Sequence, residues 1–348
     1  MNKRISVIIP VYNGSNTIGK CLEAAFASEF DNFEVIVVND CSIDNTAEIA
    51  NKFPCIFLHL DNKSGASTAR NTGANKSTGD ILFFIDADCI LQKDTLKNVI
   101  NAFNEFSYLN PTPDKRGNNG IVIGGTYTRI PFDDDFFSTF QSIFINYSET
   151  KKKEPDYIAS HAMVIESDLF AKSKGFPESF LPIIEDVEFS HRLRKAGIRL
   201  IMDPDILVQH IFNFDLSKSL KNAFKKSKYW TAYSLGNNDV LSDSGTASLE
   251  LKANVSVFFL NALLIPVSHI FQNYAVLFSA MLLFSFNLFL SRGLIKSFLA
   301  SKGLSFTVIS TLYYSLVYPI AVGAGAFSGI IEYIKTKNTI KPVEIKAE

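Results

Sequence analysis

From residue 253 to residue 331 the chain carries no acidic residue and only three basic ones, Arg292, Lys296 and Lys302. Helices drawn from such a stretch have no charged face to offer water, so they are buried in protein or lie in lipid. Three apolar runs stand out within it: 253–268, 274–290 and 304–331. The first two hold 16 and 17 residues, about 24–26 Å as helices at 1.5 Å per residue, slightly short of a hydrocarbon core of roughly 30 Å. A single helix over 253–290 would be far too long, so a hairpin turning at 269–273 is expected. The third run, 28 residues, is long enough to span with tilt or with a kink at Pro319. Arg292, Lys296 and Lys302 place the second connection on the cytoplasmic side and the uncharged turn 269–273 outside. With three crossings the lysines of 335–346 would lie outside, against the charge rule, so two or three crossings are both open.

The segment before these runs is basic. Lys218, Lys221, Lys225, Lys226 and Lys228 interleave with Leu220, Phe224, Tyr229 and Trp230, a pattern suited to a helix lying on an anionic membrane surface. Over the 348 residues the net charge is −1, but residues 1–210 carry 28 acids against 21 bases and residues 211–348 carry 7 against 13. Near-neutrality excludes a general nucleic-acid binder, and 47% hydrophobic residues exclude a disordered chain.

The first hundred residues alternate short apolar runs with helical stretches. Strands are expected at 5–9, 33–38, 55–60 and 81–85, and helices at 17–27, 45–53 and 66–76. Continuous apolar runs separated by helices mark a parallel sheet covered on both faces, with ligands bound beyond the carboxyl ends of its strands. Residues 111–120 read as a polar loop, 120–128 as a strand and 135–147 as an aromatic amphipathic helix. Strands at 157–164 and 200–202 flank a helix at 187–195. Cys21, Cys41, Cys55 and Cys89 form no CxxC pair and read as buried free thiols of a reducing compartment. Residues 1–4 lead straight into a strand-like run, not an apolar leader, so the N-terminal part is expected in the cytoplasm.

Four constellations carry chemistry. Asp86-Ala87-Asp88 follows five apolar residues; two apart on extended chain, both carboxylates point the same way and can hold Mg²⁺ or Mn²⁺ against a diphosphate. Asp40 ends a strand, where an acid can accept from a base or ribose. Small residues from Gly65 open a helix that includes Arg70, a forked cation suited to phosphate. Glu185-Asp186 precedes a helix, where acids are favoured electrostatically. His210 closes the strand-like run 206–209.

In this order the stretches Ser6-Val7-Ile8-Ile9-Pro10-Val11-Tyr12-Asn13, Val37-Val38-Asn39-Asp40-Cys41-Ser42, Ala69-Arg70-Asn71-Thr72-Gly73, Ile85-Asp86-Ala87-Asp88 and Glu185-Asp186-Val187-Glu188-Phe189 closely resemble the family 2 glycosyltransferases of GT-A fold. The resemblance covers about residues 4–212. It implies an α/β domain with a mixed, mostly parallel sheet between helices, and an inverting, metal-dependent transfer from a nucleotide sugar, a UDP-sugar by preference or a GDP-sugar. It also implies roles: Pro10 and Asn13 lining the nucleotide pocket, Asp40 on the base, Asp86 by the ribose, Asp88 on the metal, Asp186 as general base. His210 stands where many relatives carry a histidine near the metal or diphosphate.

The chain departs from the family pattern in two places. No Gln-x-x-Arg-Trp follows Asp186, which favours transfer of one or few sugars over polymer extrusion. His161 stands where relatives carry a small residue in the acceptor segment. The expected organisation is a catalytic domain at 1–212, a basic interfacial region at 213–252, two or three transmembrane helices at 253–334 and a polar tail at 335–348. The expected function is non-processive transfer of a sugar to a lipid-linked or cell-envelope glycan acceptor, by a membrane protein whose catalytic domain faces the cytoplasm and touches membrane lipids. The alternatives are a soluble acceptor or a catalytically silent scaffold of the same fold. A dinucleotide oxidoreductase is disfavoured, since no G-x-G-x-x-G follows the first strand.

Overall fold

The computed structural model describes residues 3–108, 120–179 and 183–336. Residues 111–119 of the expected loop and the tail beyond Thr336 lie outside these. The described chain forms two compact units, one of residues 1–134 with 149–212 and the other of residues 135–148 with 213–348.

The first unit is built on an eight-stranded sheet. Its strands are β1 (Ile5–Val11), β2 (Phe33–Asn39), β3 (Ile56–His59), β4 (Ile81–Ile85), β5 (Cys89–Leu91), β6 (Ile121–Tyr127), β7 (Ala162–Glu166) and β8 (Arg199–His210). They lie in the order β3-β2-β1-β4-β7-β6-β8-β5. β1 pairs in parallel with β2 and with β4, β2 with β3, and β6 with β8. β7 runs antiparallel to both β4 and β6, and β5 antiparallel to β8, so the sheet is mixed as well as largely parallel. The helices are α1 (Ile18–Phe26), α2 (Thr46–Ala50), α3 (Ala66–Lys76), α4 (Thr95–Tyr108), then, after α5 (Phe136–Thr150), α6 (Ser167–Lys172) and α7 (Glu185–Lys195).

The strands form where expected because every residue of β1, β4 and β6 is buried, and a mostly apolar run of that length suits a sheet covered on both sides. α3 packs close on the sheet through Gly73, where a Cβ would come 2.6 Å from Ile8 Cγ2. Pairing of β1 with β4 ends at Ile8, while pairing with β2 continues through Val11. Pro10, which has no N–H to give a ladder, therefore sits where β1 and β4 have parted. The strand order reverses at β1, and the crevice beyond that reversal is where α/β sheets bind ligands.

Several expectations are corrected. Residues 157–160 are not strand: the Ile158 N–H donates to Ser190 Oγ (3.0 Å) and the Ser160 N–H to Asp186 Oδ2 (3.1 Å), so side chains take the place of a ladder. The short strand at 200–202 is the start of twelve-residue β8, which absorbs Pro204 through a register shift opposite Gly124 and Thr126. The helix expected at 45–53 is only α2, five residues long. α4, α6 and β5 were not expected. Cys41 and Cys55 are half-buried; only Cys21 and Cys89 are buried.

The second unit is helical. With most of α5 it contains α8 (Leu216–Asn237), α9 (Leu249–Ile270), α10 (Tyr274–Leu290), α11 (Arg292–Leu312) and α12 (Tyr318–Thr336), the last two joined by a π-turn at Tyr313–Val317. The hairpin between α9 and α10 turns where expected, and Asn273 caps α10 by accepting from the Ala275 N–H at 3.0 Å. The cationic connection after residue 291 is not a loop: Arg292, Lys296 and Lys302 lie on α11, which breaks at Gly303 (φ 74°, ψ −171°). Two helical stretches, Leu249–Ile270 and Arg292–Lys335, are long and apolar enough to cross a membrane by length and composition. α8 carries its exposed lysines on one side and docks the other on α12. Ser227 Oγ donates to the Val322 carbonyl at 2.7 Å, Lys228 pairs with Glu332 at 3.3 Å, and Gly325 and Gly329 leave no room for a Cβ beneath the Phe224 and Lys228 carbonyls.

Candidate active site

The carboxyl ends of β1, β2 and β4 carry Pro10, Asn13, Asp40, Asp86 and Asp88, while α7 supplies Glu185 and Asp186 and the end of β8 supplies His210. Asp86 and Asp88 follow β4 directly, and Arg70 reaches across from α3. Its two terminal nitrogens are both occupied: one donates to Asp86 Oδ1 at 2.7 Å and the other to Glu185 Oε1 at 2.8 Å. The fork expected for phosphate is thus engaged by two carboxylates, one of them from the first turn of α7. Burial alone would raise the Asp86 carboxyl, but the Arg70 cation, helped by His161 and His210, holds it below its usual value.

Asp88 is different. Burial first, and then the neighbouring Asp86 charge, push its carboxyl up to about 7. Its partner is His210, whose Nε2 lies 3.4 Å from Asp88 Oδ1; the imidazole is stacked on Phe212 with ring centres 4.0 Å apart. Cys89 Sγ falls in the same group, the three ligand atoms lying within 4.8 Å of one another. Burial, then Asp88 and Asp86, push the Cys89 thiol well above its ordinary value, so the donors suited to a hard divalent cation are the Asp88 oxygen and the His210 nitrogen. A carboxyl raised by burial and by a neighbouring carboxylate is a site short of positive charge, and a cation fits it.

Asp186 opens α7. Its Oδ2 accepts from the Ser160 N–H and its Oδ1 from its neighbour Val187 at 2.9 Å. Burial and then the Glu185 charge raise its carboxyl to about 6, while Arg70 and His161 pull it down. The same Arg70 and His161 act on Asp88, so the two carboxylates share one electrostatic neighbourhood.

Three residues complete it. His161 is buried, stacks on Tyr127 with ring centres 4.0 Å apart, and places Nε2 3.4 Å from Glu149 Oε2. The same Glu149 oxygen accepts from Thr126 Oγ1 at 2.7 Å. Tyr127 also meets His210 edge-on at 4.8 Å. Glu149 and Tyr127 were not singled out from sequence. Their only signal would have been the strand end at 127 and a lone acid closing an aromatic helix.

Beyond β2, Asp40 is buried and its two oxygens accept from the Ser64 (2.6 Å) and Gly65 (2.9 Å) N–H groups before α3. Asn13, in the left-handed region at φ 51°, ties two loops together: its N–H donates to Ser42 Oγ at 2.8 Å and its Oδ1 accepts from Ile43 N–H at 2.9 Å. Asn tolerates that backbone better than most residues. The loops after β1 and β2 that carry Asn13 and Asp40 are thus held by hydrogen bonds between backbone and side chain.

Comparison with known proteins agrees with this geometry. Residues 6–169 match the family described as Glycosyl transferase family 2. Among curated relatives, Glycosyltransferase GlyA of Streptococcus pneumoniae is 33% identical over 111 residues, 30% of this chain and 16% of that protein. Glycosyltransferase AglE of the archaeon Haloferax volcanii is 28% identical over 217 residues, 59% of this chain and 66% of that protein. The chain thus spans between a sixth and two thirds of these relatives. Among solved structures, the mannosyltransferase PcManGT of Pyrobaculum calidifontis, in complex with GDP-Man and Mn²⁺, aligns over 97% of this chain and 88% of its own, with TM-score 0.57 and 15% identity, a likeness of fold. Residues 6–169, a little under half of this chain, are similar to the family 2 glycosyltransferases, and the sheet has a GT-A-like fold.

Proposed function

We propose that the protein moves a sugar from a nucleotide-sugar donor, a UDP-sugar by preference or a GDP-sugar, to a hydroxyl of a lipid-linked or cell-envelope glycan acceptor. Transfer is single and inverting. The helical unit holds the enzyme in the membrane, with the catalytic unit on the cytoplasmic side. The observation that carries this reading is that the Asp88–His210 pair and Asp186, a second carboxyl raised to about 6, both lie under the influence of Arg70 and His161.

Each residue then has a task. Asp40, Asn13 and Pro10 frame the nucleoside. Asp88 and His210 would hold a divalent cation, Mg²⁺ or Mn²⁺, which supplies neutralisation of the departing diphosphate. The mannosyltransferase of the same fold is seen with a nucleotide sugar and Mn²⁺, a donor and ion of that class. Arg70 holds Asp86 and Glu185 in place and keeps Asp86 ionised. Asp186 accepts the proton of the acceptor hydroxyl as its oxygen bonds to the anomeric carbon and the bond to the diphosphate breaks. A base near its operating pH is effective in that role, and its two backbone hydrogen bonds fix its direction.

Purified protein incubated with a panel of nucleotide sugars and a divalent cation should release nucleotide from one donor class, and release should rise when a membrane extract supplies acceptor. Absence of turnover with every donor, with nucleotide binding intact, would favour a silent scaffold.

A further inference from the structure

The helical unit contains a cavity that the transferase reading does not use. It lies among α9, α10 and the π-turn, and its volume is about 380 Å³, within the range of small-ligand sites, roughly 300–1,000 Å³. Its walls are mostly apolar, Val257, Phe258, Ala262, Leu277 and Phe284 among them, and no charged side chain lines it. Three buried polar atoms on residues lining it have no hydrogen-bond partner among the described residues: Asn261 Oδ1, Asn287 Oδ1 and Ser315 Oγ. Buried polar groups are ordinarily paired, so three around one cavity define what should fill it.

The direction of the polar network follows from the backbone. In the π-turn the Tyr318 N–H returns to the Tyr313 carbonyl. The next residue, Pro319, has no N–H, and the Tyr314 carbonyl is left over. Asn254 Nδ2 donates to it at 2.7 Å, and Asn287 Nδ2 donates in turn to Asn254 Oδ1 at 2.7 Å. A carbonyl can only accept, so neither amide can be turned round. The chain of donors ends with Asn287 Oδ1, an acceptor in need of a donor. Ser315 can both give and take.

We propose that this cavity binds a neutral, single-chain lipid alcohol, its hydroxyl donating to Asn287 and accepting from Ser315, its hydrocarbon lying along the apolar walls. A phosphate or carboxylate headgroup finds no cation here, and an ammonium would enter without a counter-charge. Water alone would satisfy the oxygens but leave the apolar walls wet. Ile265, Met281 and Leu316 are exposed at its edge, giving a chain a side entrance. The site is independent of sugar transfer and rests on the membrane reading only for the source of the lipid, which carbonate extraction of membranes tests separately.

The full-length protein, delipidated in detergent, should be titrated with oleyl alcohol and with oleyl methyl ether, following thermal stability and bound mass by native mass spectrometry. The alcohol should bind with one equivalent and about tenfold more tightly than the ether, the scale of one buried hydrogen bond. Asn287→Leu should erase most of that preference while the ether binds as before, and Ser315→Ala, which breaks no existing bond, should weaken alcohol and ether alike, since either oxygen can accept from Ser315. Equal binding of alcohol and ether to the wild type, binding of neither, or unchanged binding of both to Ser315→Ala would overturn the proposal; the second outcome would leave ordered water as the occupant.

Discussion

Arg70 and Asp86 lie 2.7 Å apart, with the guanidinium only 4% exposed. An arginine so buried is held by its acids as firmly as it holds them: burial alone would lower its affinity for the proton, and Asp86 and Glu185 more than restore it. Arg70→Met should therefore cost about 3–5 kcal/mol, the price of leaving buried charges unpaired, read by urea unfolding of the catalytic unit's signal. Arg70→Lys, which cannot reach both carboxylates with a planar fork, should fall between. A loss below about 1 kcal/mol in Arg70→Met would mean the acids find other partners.

Asp186 gives opposite pH trends for activity and stability. With its carboxyl raised to about 6, turnover should climb as pH rises through 6 and the base ionises. Asp186→Asn should lower transfer by about 10²–10⁴ with donor binding unchanged, and Glu185→Gln should lower it less. A carboxyl raised in the fold binds its proton more tightly there than in the unfolded chain, so its stabilising contribution is full below the ordinary value near 4 and is lost as pH rises through 6. Wild type should lose on the order of 2–3 kcal/mol relative to Asp186→Asn between pH 4 and 6. A flat difference would place the shift elsewhere.

Asp88→Ala and His210→Ala should each abolish the tightening of nucleotide-sugar binding by Mn²⁺, measured by calorimetry with and without the ion. Binding in the absence of metal should be little altered. Tightening that survives in Asp88→Ala would move the cation site.

Glu149 and His161 should behave as a coupled pair. Groups within one network show interaction energies of about 0.5–3 kcal/mol, so turnover losses of Glu149→Gln and His161→Gln should not add in the double variant. Strict additivity would show that the 3.4 Å approach has no bearing on transfer.

Much of the first unit was legible because its strands are unbroken apolar runs and its helices are bounded by turn residues: α3 and β4 fall at the expected residues, as does α10 in the second. α4 carried its own signal in Leu96, Val99, Ile100 and Phe103, all buried and at helical spacing. Residues 157–160 misled because they are as apolar as a strand while their backbone is satisfied by Ser190 and Asp186, thirty residues on. Asp86, Asp88 and Asp186 were readable as motifs. Glu149 was not, because what makes it part of the site is the alignment of β6 beside β7, which sets Tyr127 and His161 face to face.

The π-turn at Tyr313–Val317 also has a meaning in the arithmetic of the helix. It takes up one more residue than an α-turn would. Wound as plain α-helix, the same sequence would bring Gly325 and Gly329 round by about 100° and turn Ala324 and Ser328 toward α8, against backbone that admits no side chain. The bulge thus acts as a register corrector between two length-sensitive features, the proline and the glycine face. Deleting one residue within 313–317 should be tolerated far better, by yield and melting temperature in detergent, than deleting one within 320–324, where nothing can absorb the change and the glycines lose their partner.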